Sequence, residues 1–269
     1  YQLLATTDRL IELGIKRIRK IGATMEFDHI RDYVRGDDYR HLNWKATAKH
    51  KKLLVNQYQE EKSQPIYSFI DVGRVMRMPF KGLTILDYAI NSALVLSNAA
   101  LLKDDRAGML TFSKSIGNHI AAEKRNNQMQ RIAESLYQIK TDFEETDFAD
   151  LYSFSKKQIN KRALLMIYSN FETMDALQRQ LLSLKMLAKT HVLVVVVFQN
   201  TELMSLAKTP AKEVLGIYNQ IIAEKFIYEK MLIIQELNRH GIQTIYTAPE
   251  HLTINAINKY LEIKARGII

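Results

Sequence analysis

Apolar residues recur along this chain at two periods, and the switches between them mark out its elements. In residues 1–24, Leu3, Leu4, Leu10, Ile11, Ile15 and Ile18 form a helical stripe. Lys16, Arg17, Arg19 and Lys20 crowd its C-terminal end, where basic groups complement the helix dipole. Residues 25–62 read differently: Asp, Arg, Tyr and Trp are interleaved around Gly36, which predicts turns and short elements, with a strand over 53–58. From Pro65 a rhythm sets in. Short apolar runs at 66–70, 107–112, 163–168, 192–198 and 242–246 predict strands, and 119–122 a short antiparallel edge. Between them, amphipathic stretches predict helices over 83–102, 126–139, 147–160, 174–189, 210–239 and 250–265. Pro210 is placed for a first turn and Gly241 for a C-terminal stop.

Strands that are apolar on both faces and alternate with helices imply an α/β, doubly wound, mostly parallel sheet covered on both sides. The one shift in composition lies near Ser63 to Pro65. It divides the chain into an N-terminal extension, 1–64, and a sheet domain, 65–269. No stretch reaches the ~18 consecutive apolar residues of a membrane span, and the first residues do not spell a signal peptide. A start at Tyr1 reads as that of a piece of a longer protein.

Composition narrows the chemistry. With 47% apolar and 25% charged residues the chain is an ordinary globular one, which excludes disorder. It has no cysteine, which excludes disulfides, thiolate nucleophiles, iron–sulfur clusters and Cys-ligated zinc, and suits a reducing compartment. A net charge of +9 favours anionic partners. Enzyme patterns are missing: no phosphate loop, no His-Glu-x-x-His, no nucleophile elbow, and seven scattered histidines. Asp38 followed by Glu60-Glu61-Lys62 could bind Mg²⁺ as in some nucleases, but three common residue types match often by chance. Basic clusters at 16–20 and at Lys45, Lys49, Lys51 and Lys52 read as a solvated face or one near anionic lipid.

In doubly wound sheets ligands bind at the carboxyl ends of the strands, where strand order reverses. The residues placed there are Asp71, Gly73, Arg74, Thr146, Asp147, Ser169 and Asn170.

Upstream lies a denser pattern: Gly22, Phe27, Ile30-Arg31, Tyr33, Gly36-Asp37-Asp38, Arg40, Leu42-Asn43-Trp44-Lys45-Ala46 and Ala48, continuing through Glu60-Glu61-Lys62 to Asp71. It is very similar to the signature of domain-of-unknown-function family 58, a bacterial family built on a von Willebrand factor A-like domain. That resemblance implies a metal-ion-dependent adhesion site with the pattern Asp-x-Ser-x-Ser, a Thr in a later loop and an Asp after the fourth strand. Asp71 and Thr146 match. Gly73, Val75 and Asn170 stand where two serines and the second Asp would be. The expected site is therefore degenerate, with no metal or other cofactor beyond at most weakly held Mg²⁺.

Among the signature residues Arg31, Tyr33, Gly36, Asp37, Asp38, Arg40 and Trp44, the charged ones with Arg35 offer two readings: an interaction surface, or, as expected here, an ion-pair and turn network that clips the extension to the sheet with Trp44 as a buried apolar plug. Arg35-Gly36-Asp37 reads as a turn, not an adhesion tripeptide. Arg74, Arg77, Met76, Met78 and Glu172 are the expected interaction residues, since Met fills irregular apolar gaps and Arg makes forked hydrogen bonds. The resemblance implies a non-enzymatic interaction or scaffold domain. It would act with a MoxR-type AAA+ ATPase or other von Willebrand A proteins in protein assembly or maturation. Its place would be the cytoplasm, as the cytoplasmic domain of an inner-membrane protein. The rival class is a basic nucleic-acid binder or Mg²⁺-dependent nuclease.

Overall fold

A computed structural model describes residues 25–60, 63–137, 139, 144–208 and 214–269; the helix expected over 1–24 and Pro210 lie outside them. The chain falls into two compact units, Tyr1–Lys62 and Ser63–Ile269.

In the first unit, strands β1 (Met25–Asp32) and β2 (Leu54–Glu60) pair antiparallel, with Asp32 opposite Leu54 and a register shift between Phe27 and His29. β1 is absent from the sequence reading. Its Phe27 and Ile30 are exposed, so no burial pattern marks it. The connection is built from short-range polar bonds. Asp37 accepts two bonds from the Arg31 guanidinium, at 2.8 and 2.7 Å, and one from the Val34 amide at 2.9 Å. Arg31 holds the Asp37 carboxyl below its usual range. Gly36 takes φ 114°, a region that favours glycine. Asp38 caps a 3₁₀ turn at Tyr39–His41 through the Arg40 amide, and Tyr33 stacks on Tyr39. Asn43 caps helix α1 (Trp44–His50) through the Ala46 amide. The expected turn network is thus present, but the expected burial of Trp44 is corrected. As the first residue of a capped surface helix, Trp44 is 68% exposed.

The second unit holds β3 (Pro65–Asp71), a small hairpin of β4 (Pro79–Phe80) and β5 (Leu83–Thr84), α2 (Ile85–Leu102), β6 (Arg106–Phe112), β7 (Ile116–Glu123), α3 (Gln128–Tyr137), α4 (Phe148–Gln158), β8 (Leu164–Tyr168), α5 (Met174–Thr190), β9 (Val192–Phe198), α6 (Thr201–Lys208), α7 (Val214–Arg239), β10 (Gln243–Thr247) and α8 (Leu252–Ala265). The six-stranded sheet has the order β10-β9-β8-β3-β6-β7, parallel except for β7. The chain builds outward from β3 to β7, then returns to β8 and builds outward the other way. The reversal between β3 and β8 is where such sheets bind ligands.

Strand alternation splits the core in two. Ile66, Ile70, Met109, Met166, Val194 and Val196 face one layer, with α2, α3 and α8 packed on it. Tyr67, Phe69, Leu110, Leu165, Ile167 and Val195 face the other, under α4, α5 and α7. Because each strand is buried on both faces, its sequence reads as a continuous apolar run. Each fully buried aliphatic or aromatic side chain contributes about 1.5–3 kcal/mol.

Helix α2 starts in a reciprocal capping box, with the Thr84 hydroxyl accepting from the Asp87 amide and the Asp87 carboxylate accepting from the Thr84 amide. By length and composition alone it could cross a membrane, which corrects the expectation of no such segment. Ala89, Ala93, Leu96 and Ala100 are, however, buried in the core, as in the central helix of a soluble domain. The helix expected over 210–239 is in fact preceded by α6, which the sequence reading lacks. At the other end Gly241, with φ 74°, closes α7 as expected.

Trp44 is the only tryptophan. Its emission in the folded protein should be red-shifted and readily quenched by acrylamide, and Trp44→Ala should change stability by less than about 1 kcal/mol. Blue, protected emission would contradict its exposure.

Candidate functional site

The last residue of the central strand β3 is Asp71, and its side chain is fully buried. Three segments converge on it. The Gly73 amide and the Thr146 hydroxyl donate to Asp71 Oδ1 at 2.8 and 2.7 Å, and the Ser169 hydroxyl donates to Oδ2 at 2.6 Å. Burial raises the Asp71 pKa, and the three donors oppose that shift by favouring the carboxylate. The loops are also stitched through the backbone, from the Arg74 amide to the Glu144 carbonyl at 2.9 Å and from the Asp147 amide to the Ser113 carbonyl at 2.8 Å. Asp147 then caps α4 through the Ala149 amide.

This closeness explains glycine at 73. Its φ is ordinary, but a Cβ there would lie 2.2 Å from Thr146 Oγ1 and 2.8 Å from the Glu144 carbonyl. No serine fits at this ligand position without moving the neighbouring loop. Val75 is half-buried and packs on the core. Asn170, at the position of the second Asp, is buried, and its Oδ1 accepts from Lys230 Nζ at 2.6 Å. A hard divalent cation takes about six oxygen ligands. Here the cluster offers one carboxylate that already accepts three bonds. Among the described residues no group of three or more His, Asp or Glu side chains could hold a metal.

Lys230 escaped the sequence reading. It sits on α7 and also donates to the Phe171 carbonyl. Burial pulls its pKa down to about 8, against the opposing pull of Glu172. The signal was present: Ala223, Ile227, Lys230, Ile234 and Leu237 fall at helical spacing, so a lysine interrupts a core-facing stripe. Beside Lys230 a cavity of about 450 Å³ opens at the carboxyl ends of β8, β9 and β10, walled by Met78, Phe80, Phe198, Leu203 and Phe226.

The expected interaction residues separate. Arg74 and Arg77 are exposed, and Arg74 has only a loose surface pair with Glu145 at 3.8 Å. Glu172 is exposed. Met78 is half-buried against the core and lines the cavity. Met76 is completely buried, because its 3₁₀ turn folds it into the core, so it is no surface residue. Asp38 is spent on capping, and the Glu60-Glu61-Lys62 side chains lie outside the described residues.

A second feature is the length of α7. Its 26 residues span about 39 Å, whereas strands of five to seven residues span about 17–24 Å. The helix therefore overshoots the sheet at the carboxyl end. All its fully buried residues lie at Ala223 or later. Its free part exposes Val214 (86%), Leu215 (69%), Tyr218 (62%) and Ile221 (59%).

The family described as "Protein of unknown function DUF58" matches residues 29–212. No curated protein sequence matches the chain. Among solved structures, the conserved hypothetical protein BatB from Bacteroides thetaiotaomicron aligns over 76% of this chain and all of its own, at 12% identity and TM-score 0.52. An aerotolerance-related membrane protein from Bacteroides fragilis aligns over 74% of this chain and 99% of its own, at 10% identity and TM-score 0.48. The SpRpn10 VWA domain aligns over 73% and 95%, at 10% identity and TM-score 0.43. The fold is a doubly wound α/β one, shared with BatB.

If Asp71 serves as a structural acceptor, D71A strands three donors and should cost about 2–5 kcal/mol, while D71N keeps most of the bonds. The pKa of Asp71 is raised on folding, so its linked stability is full below the unfolded value and is lost as pH rises through the folded one. In denaturant titrations D71N should therefore gain on the parent as pH rises from about 4 to 7. A D71N as damaging as D71A would refute the acceptor role. G73S should cost about 1–3 kcal/mol by overpacking.

Proposed function

Because the chain belongs to the family of proteins of unknown function DUF58, we propose that it is a non-enzymatic docking domain that works without a resident metal. Its partner is a MoxR-type AAA+ ATPase or another von Willebrand A protein, and its task is the assembly or maturation of other proteins. The observation that carries this reading is the overshooting half of α7. Val214, Leu215, Ile217, Tyr218 and Ile221 are exposed on consecutive turns of one helix, and a contiguous exposed apolar patch marks an interaction surface. Arg74 and Arg77 stand on the loop after β3, at the same end of the sheet. They supply a charged flank suited to an acidic partner, as does the net charge of +9.

Two observations support docking without a metal bridge. The Asp71 oxygens already accept bonds from Gly73, Thr146 and Ser169, and at position 170 an amide faces an ammonium. Hydrogen bonds join the loops to one another. In this reading the domain works on the cytoplasmic side of a membrane-anchored parent; the lack of cysteine suits that reducing compartment.

The test is co-purification of the chain with the MoxR-type ATPase. Leu215→Ser with Ile221→Ser alters only exposed residues and should leave the fold intact while lowering capture by about tenfold or more. Arg74→Glu with Arg77→Glu should lower it as well and weaken its salt dependence. EDTA should leave capture by the parent unchanged. Capture that survives both double substitutions, or that EDTA abolishes, would overturn the reading.

A further inference from the structure

The cavity beside Lys230 combines two properties. Its walls are largely apolar, from Phe80, Phe198, Leu203 and Phe226. Among its polar groups is the Lys230 ammonium, and Glu172 lines the same wall. Lys230 donates to the Asn170 side-chain oxygen and to the Phe171 carbonyl, both neutral acceptors. Among the described residues no carboxylate lies within salt-bridge distance of it. Glu172 is the acidic residue that pulls on it, and Glu172 is exposed, where water screens its field. A lysine carries three N–H donors, so one remains for a ligand.

A charge taken out of water is retained at a cost unless it meets a counter-charge. Here the fold supplies hydrogen bonds, and among the described residues no carboxylate in direct contact. A cavity of about 450 Å³ is within the range that holds a small molecule. We infer that this cavity binds a small amphipathic monocarboxylate, with its apolar body against Phe198 and Phe226 and its carboxylate on Lys230. Phosphates and sulfates fit less well. They need several convergent donors, such as an arginine fork or a helix N-terminus. Besides Lys230 the wall offers the amides of Asn170, Gln199 and Asn200, the hydroxyls of Thr173 and Tyr246 and the exposed carboxylate of Glu172, and the two helix N-termini at the wall are already capped, α5 by Thr173 and α6 by Asn200. The lowered pKa of Lys230, about 8, is the mark of an ammonium still waiting for its counter-charge. This site stands apart from the docking reading, since neither Leu215 nor Arg74 lines it.

Decanoate and decan-1-ol share a chain length and differ at the head group, which makes them the probes of choice in calorimetry at pH 7. The parent should bind decanoate at least about tenfold more tightly than the alcohol, as a charge-assisted bond in a dry site requires. Lys230→Met keeps the apolar stem, removes the ammonium and should make the two affinities equal. Asn170→Asp keeps Lys230 but sets a carboxylate against it, and should abolish the preference equally. The inference fails if the parent does not bind decanoate, if it binds acid and alcohol alike, or if either variant keeps the preference.

Discussion

A single buried carboxylate organises the functional end of this domain. Asp71 closes the central strand, and the strand cannot end there without neighbours that supply hydrogen bonds, because a sealed anion without donors would cost several kcal/mol. The donors come from its own loop through the Gly73 amide, from the loop before α4 through Thr146, and from the end of β8 through Ser169. The rest of the end follows. Thr146 is drawn so close that residue 73 has no room for a Cβ. Arg74 is bonded through its amide to Glu144, so its side chain is left outside. Met76 is folded inward by the same turn.

A comparable logic operates one strand over. At position 170 this chain has an amide, whose oxygen is an acceptor. What donates to it is the ammonium of Lys230, carried on α7. The positive charge is thereby built into the covalent chain, and α7 is fixed to the carboxyl end of β8 as a consequence. That anchor lies near the middle of α7. Beyond it the helix packs on α6, and apolar side chains such as Leu215 and Tyr218 remain on the outside.

The sheet was legible in the sequence because burial on both faces leaves no room for polar residues. Val192–Phe198 is apolar at every position, and all seven residues are buried. What escaped was whatever the core does not pattern. β1 carries apolar residues such as Phe27 and Ile30 that remain exposed, so its pairing with β2 leaves no periodic trace. α6 is short, and its sequence runs on in the same composition toward α7. Trp44 misled for a related reason: aromatic character argues for burial on average, but the position was set by the Asn43 cap and the helix start, which are local.

The candidate site was legible by position and not by partnership. Asp71, Thr146 and Asn170 could be placed at the carboxyl end because strand ends are fixed by the apolar runs before them. Which of them would meet was decided by distances between loops, and sequence order carries no record of those. Thr146 turned to Asp71, whereas Asn170 turned to a lysine 60 residues further on. The lysine itself was visible only as a polar interruption of the stripe through Ala223, Ile227, Ile234 and Leu237. Such an interruption is resolved in one of two ways: the side chain snorkels to water, or it meets an acceptor inside. The buried amide of Asn170 and the carbonyl of Phe171 settle it for the second, which is why an ammonium stands at the wall of the cavity beside Phe198 and Phe226.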